Sequence, residues 1–177
     1  MLYSLPLVIL PFGKTAKHHK KEAHISPYGK MVAIMIIKTR DFGEEEISEN
    51  VVIDFPNGVY AFEDDKRFVL LSPCGENKYP MWLQSVDTPN LCFIVFDPSE
   101  FVDGYSVELD EDAKSIVGGD SAPLDYLCMA VVPNDFIDTT VNLKSPIVIN
   151  SFLKKGVQII AAENYPIKFP AFKKEGS

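Results

Sequence analysis

Beyond residue 24 the chain contains no histidine; His18, His19 and His24 are the only three. A body without imidazole lacks the usual general base near neutral pH, which excludes Ser-His and Cys-His nucleophile pairs and His-bearing metal centres from it. Cysteine is almost as scarce. Cys74, Cys92 and Cys128 are odd in number, widely separated and without a CxxC spacing, so they fit neither a disulfide framework nor a zinc site. They read as reduced cytosolic thiols serving as small core residues. Glycine-rich phosphate loops are missing too. Gly118-Gly119 is not followed by the Lys-Ser/Thr pair of such a loop, and no GxGxxG occurs. No stretch approaches the roughly 20 consecutive apolar residues needed to span a bilayer.

What remains is acidic. The 177 residues carry 17 basic and 25 acidic side chains, a net charge of −8. Residues 1–30 hold five lysines against Glu22 alone, leaving the other 147 residues with 12 basic against 24 acidic. Such a body repels phosphate backbones and favours basic partners, which argues against direct nucleic-acid binding. The acids cluster at Glu44-Glu45-Glu46, Asp64-Asp65 and Asp110-Glu111-Asp112. Adjacent acids on a strand point to opposite faces, and the spacing of an EF-hand is absent, so these read as solvated surface. Paired carboxylates, Ser-Lys pairs and a carboxylate-only metal site are the options left. No enzyme activity, cofactor or metal is expected.

The chain is long enough for one domain with its own core, and 46% hydrophobic residues is ordinary for a globular protein. Residues 1–30 differ in texture from the rest. Leu5-Pro6-Leu7-Val8-Ile9-Leu10-Pro11-Phe12 is apolar, but no basic segment precedes it, two prolines interrupt it and no small-x-small cleavage site follows. This stretch is read as a disordered or mis-started N-terminal extension, ahead of a domain over residues 31–177. His18-His19-Lys20-Lys21 falls inside it.

From residue 34 onward, β-branched and aromatic runs alternate with turn residues. Strands are predicted at 34–39, 51–55, 68–72, 81–86, 91–96, 105–109, 126–132, 146–150 and 157–163. Phe42-Gly43, Pro56-Asn57-Gly58, Pro73-Cys74-Gly75 and Thr88-Pro89-Asn90 mark turns between them. Helix is invited in two places. Asp97-Pro98 places a cap ahead of a proline at the first helical position. Residues 110–117 open on Asp110, carry acids in the first turn and stop at Gly118. Lys173-Lys174-Glu175-Gly176-Ser177 reads as a frayed tail. The expected fold is all-β: a single compact antiparallel β-barrel-like domain with one or two short helices.

The order of motifs in the body resembles the FliW family of flagellar assembly factors. The resemblance runs from about Met35 to Tyr165. It rests on Ile37-Lys38-Thr39-Arg40-Asp41-Phe42-Gly43, Val51-Val52-Ile53-Asp54-Phe55-Pro56-Asn57-Gly58 and Arg67-Phe68-Val69-Leu70-Leu71, then on Trp82-Leu83-Gln84-Ser85 with Pro89 and Phe93. Asp97-Pro98 follows, and then Thr140-Val141-Asn142-Leu143 with Pro146-Ile147 and Asn150. One departure is clear. Where the family usually has Gly-Leu-Pro-Gly-Phe, this chain has Gly58-Val59-Tyr60-Ala61-Phe62, which changes the dihedral angles open to the turn.

The resemblance implies a cytoplasmic, non-enzymatic regulator. Its partners would be free flagellin and the translational repressor CsrA, whose repression of flagellin synthesis it relieves. It also implies a compact barrel-like fold; a monomer is expected, with no membrane partner. Gln84, Ser85, Asp97, Phe101, Asn142, Leu143, Pro146 and Asn150 are the candidate partner-binding residues. Each has a structural alternative. Gln84 and Ser85 either bond neighbouring backbone and face solvent, or edge a groove where a partner strand docks. Asn142 and Asn150 bond locally in turns or contribute to recognition, and a proline at a strand start is ordinary. Phe101, Tyr105, Phe152 and Phe169 are interface anchors or core. The rival readings are a small-molecule-binding or enzymatic β-barrel and a purely structural scaffold.

Overall fold

The computed structural model describes residues 7–8, 24–25, 31–75, 78–119 and 123–173. Its strands, in chain order, are β1 (Leu7–Val8), β2 (His24–Ile25), β3 (Met31–Val32), β4 (Ile34–Thr39), β5 (Gly43–Ser48), β6 (Ile53–Asp54) and β7 (Arg67–Leu71), then β8 (Met81–Ser85), β9 (Cys92–Phe96), β10 (Asp125–Val131), β11 (Thr140–Val141), β12 (Ile147–Asn150), β13 (Lys155–Gln158) and β14 (Phe169–Pro170). The one α-helix among the described residues, α1, spans Glu111–Val117.

Seven strands close a barrel in the order β6-β7-β8-β9-β10-β12-β13, with β13 returning to β6. Every neighbouring pair is antiparallel except the seam, where Lys155 of β13 pairs in parallel with Asp54 of β6. Closure removes the exposed ladder edges that an open sheet would present. The all-β class read from the sequence holds; among the described residues there is one α-helix, and 3₁₀ turns cover Glu49–Val51, Pro98–Glu100 and Phe136–Asp138. The cap at Asp110 and the stop at Gly118 both behave as read. Asp110 accepts from the Ala113 amide, and Gly118 ends α1 at a φ of 83°, where a side chain would be costly.

The barrel strands are apolar on both faces because both faces are covered. Phe68, Leu70, Leu83, Leu127, Ile147 and Ile149 point inward and fill the interior with Phe55, Met81 and Val95. The intervening residues point outward, as strand periodicity requires, and meet three separate covers. The β4–β5 hairpin lays Ile37 and Ile47 over Val69 and Leu71. Helix α1 lays Ala113 and Val117 over Val148 and Val157. The segments carrying Phe101, Tyr105, Val141, Leu143 and Phe169 cover Phe96 and Cys128. At ~1.5–3 kcal/mol for each fully buried large aliphatic or aromatic side chain, these satellite clusters stabilise the barrel along with its interior.

Several local expectations shift; the strand expected at 157–163, for one, is β13 and ends at Gln158. Glu44-Glu45-Glu46, read as solvated surface, do face solvent in large part, but they lie in an unexpected strand, β5, pairing from Thr39↔Gly43 to Ile34↔Ser48. Its Ile47 is buried while glutamates dominate its other positions, a common way to keep a free edge from pairing further. The strand expected at 51–55 is reduced to Ile53–Asp54, because a 3₁₀ turn takes Glu49–Val51. Residues 105–109 form no strand; the Tyr105 hydroxyl instead donates to the Leu143 carbonyl at 2.7 Å. Of the leader, Leu7–Val8 runs parallel to β7 and His24–Ile25 pairs with β3. The rest of it, with residues 174–177 of the expected tail, lies outside the described residues.

Candidate functional site

The ladder of β9 ends at Phe96, and the chain turns at once because Asp97 accepts a hydrogen bond from the Ser99 amide at 2.8 Å while Pro98 opens the 3₁₀ turn. Pro98 is buried, so the turn is seated firmly on the barrel wall. It forms a ridge between two concavities of opposite character.

On one side lies a cavity of about 240 Å³ lined by Tyr79, Asp97, Pro98, Ser99, Tyr105, Leu124, Asp125 and Tyr126. Asp125 stands at the head of β10, opposite Ile149 in the ladder with β12. Burial raises its carboxyl above the usual carboxylate range; the Ser151 hydroxyl, which donates to it, opposes that, and the charge of Asp97 adds to it. Burial likewise pushes the phenols of Tyr79 and Tyr105 up, so both stay protonated. Lys154 is the cation whose field reaches Asp125, and burial makes it a weaker base than an ordinary lysine.

On the other side is a wider cleft of about 760 Å³. Phe101, Ile137, Phe169 and Phe172 give it apolar walls, and Glu100, Asp138 and Lys173 bring charges. Phe136, 66% exposed, meets Phe172 edge-on at 5.8 Å. Val131 and Val132 at the end of β10 are 68% and 47% exposed, so this end of the molecule carries solvent-facing apolar side chains of the kind that mark interaction surfaces. A row of rings, Tyr79–Phe96–Phe101–Phe169, connects the two concavities beneath the ridge, with centroids 6.4, 5.7 and 6.1 Å apart.

Of the eight residues singled out in the sequence, Asp97 and Phe101 sit on the ridge, one lining each concavity. The other six face inward or hold turns. Gln84 is 1% exposed; its amide nitrogen donates to the carbonyls of Ser85, Pro89 and Leu91, each at 3.0 Å, and its oxygen accepts from the Arg40 amide at 3.1 Å. Ser85 donates to Asp65 at 2.6 Å and accepts from the amides of Asp87 and Thr88. The Asn142 side chain accepts from the amides of Lys144 and Ser145. Leu143 and Pro146 are buried. Asn150 donates to the Val117 carbonyl at 2.7 Å and accepts from the amides of Phe152 and Leu153, tying the end of α1 to the β12–β13 turn. Phe152 is exposed, while Tyr105 and Phe169 are half-buried beside the ridge.

Asp125, Tyr79 and Tyr126 escaped notice in the sequence, although a signal existed. Asp125 is a lone carboxylate at the mouth of the apolar run Tyr126-Leu127-Cys128-Met129-Ala130-Val131, where a strand has little use for a charge. No grouping of His, Cys, Asp or Glu suited to a metal ion occurs among the described residues. No helix among them is long and apolar enough to cross a membrane.

Residues 36–171 match the family model described as FliW protein. The chain is 36% identical over 140 residues to the flagellar assembly factor FliW of Caldicellulosiruptor bescii, an alignment covering 77% of this chain and 90% of that protein. The flagellar assembly factor FliW of Natranaerobius thermophilus is 37% identical over 147 residues, covering 81% and 96%. Among solved structures, the crystal structure of the flagellar assembly factor FliW superposes with a TM-score of 0.72 at 32% identity, covering 80% of this chain and 99% of that one.

Proposed function

Because the chain belongs to the FliW family of flagellar assembly factors, we propose that it works by binding proteins: it holds free flagellin and the translational repressor CsrA, and so relieves repression of flagellin synthesis in the cytoplasm. The observation that carries this reading is the pairing of an apolar cleft and an acidic cavity on either side of one ridge. The cleft suits the apolar face of an amphipathic terminal helix of flagellin, which would lay its anchors between Phe101, Phe169 and Phe172. The acidic body suits a repressor that is basic where it grips RNA; close to that surface it would attract the repressor and repel the competing nucleic acid.

The barrel interior supports a binding role over an enzymatic one. Phe55, Phe68, Leu70, Leu83 and Leu127 are all fully buried there, so the space that larger barrels give to a ligand is occupied by side chains. The buried polar residues of the family motifs contribute indirectly on this reading. They fix the backbone that presents the ridge, and Asp97 and Phe101 make the contacts.

Co-purification of untagged protein from cells, followed by capture assays with flagellin and CsrA added singly and in turn, tests the proposal. Recovery of either protein, weakened by Phe101→Ser or Phe172→Ser in the case of flagellin, is the expected result. Purification with a bound metabolite and with neither protein would refute it.

A further inference from the structure

We propose that the cavity between the 3₁₀ turn and the head of β10 is a receptor for the guanidinium of one arginine side chain, supplied by a basic protein partner. The inference deepens the partner-binding reading and rests on it. Two carboxylates, Asp97 and Asp125, line the cavity together with Tyr79, Tyr105 and Tyr126. Asp97 spends one oxygen on the Ser99 amide and Asp125 accepts from Ser151, yet a carboxylate has about four lone-pair sites and accepts more than one bond. Neither takes part in an ion pair among the described residues, where Arg40–Asp41, Arg67–Asp87, Lys114–Glu111 and Lys155–Asp54 pair elsewhere. The wall therefore carries two partly desolvated carboxylates; the field of Lys154 reaches Asp125, but no cation among the described residues forms an ion pair with either.

The chemistry of the lining selects among cations. A bare metal ion would need more hard oxygen donors in a tight shell, and the buried phenols stay protonated and bind cations poorly through oxygen. A guanidinium fits better. It is planar, weakly hydrated, forks onto carboxylates and stacks on aromatic rings, whereas an ammonium is a compact and strongly hydrated point charge. The row of rings from Tyr79 through Phe96 to Phe101 puts this cavity next to the apolar cleft. One partner segment could then seat apolar anchors on one side of the ridge and a single arginine on the other. That would add specificity to a contact that apolar packing alone leaves permissive.

The test titrates ¹⁵N-labelled full-length protein with Nα-acetyl-arginine amide, with Nα-acetyl-citrulline amide as the uncharged isostere and with Nα-acetyl-lysine amide. Saturable shifts at Asp97, Asp125 and Tyr126 with the arginine probe, at least roughly tenfold weaker for citrulline and weaker for lysine, are expected. Asp97→Asn and Asp125→Asn keep the acceptor oxygens facing the Ser99 amide and the Ser151 hydroxyl, so they preserve the fold while lowering the charge; each should weaken the arginine probe about tenfold. Equal response to citrulline, equal binding of lysine, or unchanged arginine binding in the double variant overturns the proposal. Capture of flagellin and CsrA runs in parallel. Capture by the wild type that the double variant leaves undiminished overturns the arginine pocket and spares the partner reading. Failure of wild-type capture overturns the partner reading itself, whatever the probes show.

Discussion

Ala61 is held at a φ of 68°, a conformation that costs an L-residue with a Cβ roughly 1–2 kcal/mol. The turn around it closes through the Phe62 amide donating to the Val59 carbonyl at 2.7 Å. The Ala61 amide donates to the Glu63 side chain at 2.9 Å, and the residue is exposed, so its methyl group contributes little burial. Replacing Ala61 with glycine should therefore remove the backbone strain and lose little burial. Against that stands the wider freedom of glycine in the unfolded chain, worth about 0.4–1 kcal/mol. The net expectation for Ala61→Gly is a gain of about 0.5–1 kcal/mol, or a rise of about 1–4 °C in midpoint for a chain of this size. Gly58 makes the opposite case within the same loop. Its φ is +69°, and an added Cβ would lie 2.7 Å from the Glu63 Cα and 2.8 Å from the carbonyl oxygens of Glu63 and Phe62. Those are backbone atoms that cannot swing aside, so Gly58→Ala should cost at least ~2 kcal/mol. Urea melts read by the single tryptophan, Trp82, would measure both, with an unchanged m-value showing that the unfolded state is comparable. A destabilised Ala61→Gly, or a tolerated Gly58→Ala, would refute the strained-turn account.

Further expectations follow from the polar contacts, the thiols and the charge. Asn150→Ala removes the donor to the Val117 carbonyl and the acceptor of two turn amides, and should cost about 2–3 kcal/mol in the same melts; a loss below about 0.5 kcal/mol would show that these bonds are replaced by water. Burial pushes the Cys92 and Cys128 thiols up to about 12, while Cys74 is exposed, so a thiol-specific disulfide reagent should titrate one cysteine quickly in the native protein and three after denaturation. Burial raises the folded-state pKa of Asp125 above its unfolded value, so ionising it opposes folding once pH rises through that folded pKa. Asp125→Asn should accordingly stabilise the protein at neutral pH, with the advantage shrinking on acidification; an advantage that grows in acid would contradict the burial argument. Under the proposed partner reading, raising salt should weaken capture of CsrA more than capture of flagellin, and equal salt slopes in calorimetric titrations would count against the electrostatic part of it.

The barrel was legible in the sequence because its strands follow each other closely, are rich in β-branched and aromatic residues, and are punctuated by prolines and glycines. The boundaries that moved have specific causes. Glu44-Glu45-Glu46 reads as solvated surface, since an edge strand chooses charge for the same reason a loop does, and only Ile47 betrays the buried side. Residues 105–109 have strand composition, but Tyr105 is spent on the Leu143 carbonyl and on packing against Tyr165 at 4.5 Å, which leaves the segment covering Phe96 and Cys128 in place of joining a ladder. The candidate site was half legible. Asp97 and Phe101 flank a recognisable cap, whereas Asp125 joins them only through the closure of β10 onto β9 and β12, a pairing across about thirty residues on one side that no local pattern encodes.

That closure also explains why the most recognisable polar residues of the chain face inward. A seven-stranded barrel whose outer wall is covered on three sides leaves few ladder positions in contact with water, so a polar side chain within it must find its partners inside the protein or destabilise the fold by roughly 1–3 kcal/mol. Gln84 meets that demand with three carbonyls and an amide, Asn150 with a carbonyl and two amides, and each is thereby committed to shaping a turn. A side chain whose bonding capacity is used up within the fold has little left for a partner. Asp97 is in a different position: one oxygen caps a short turn and the carboxylate still borders open space. Asp125 lies beside it, partly buried, in surroundings whose burial raises its carboxyl above the usual carboxylate range. Groups held at a cost to stability tend to belong to binding or catalytic sites, and on that ground the ridge between the two concavities, rather than the motif residues beneath it, is where partner variants should be made first.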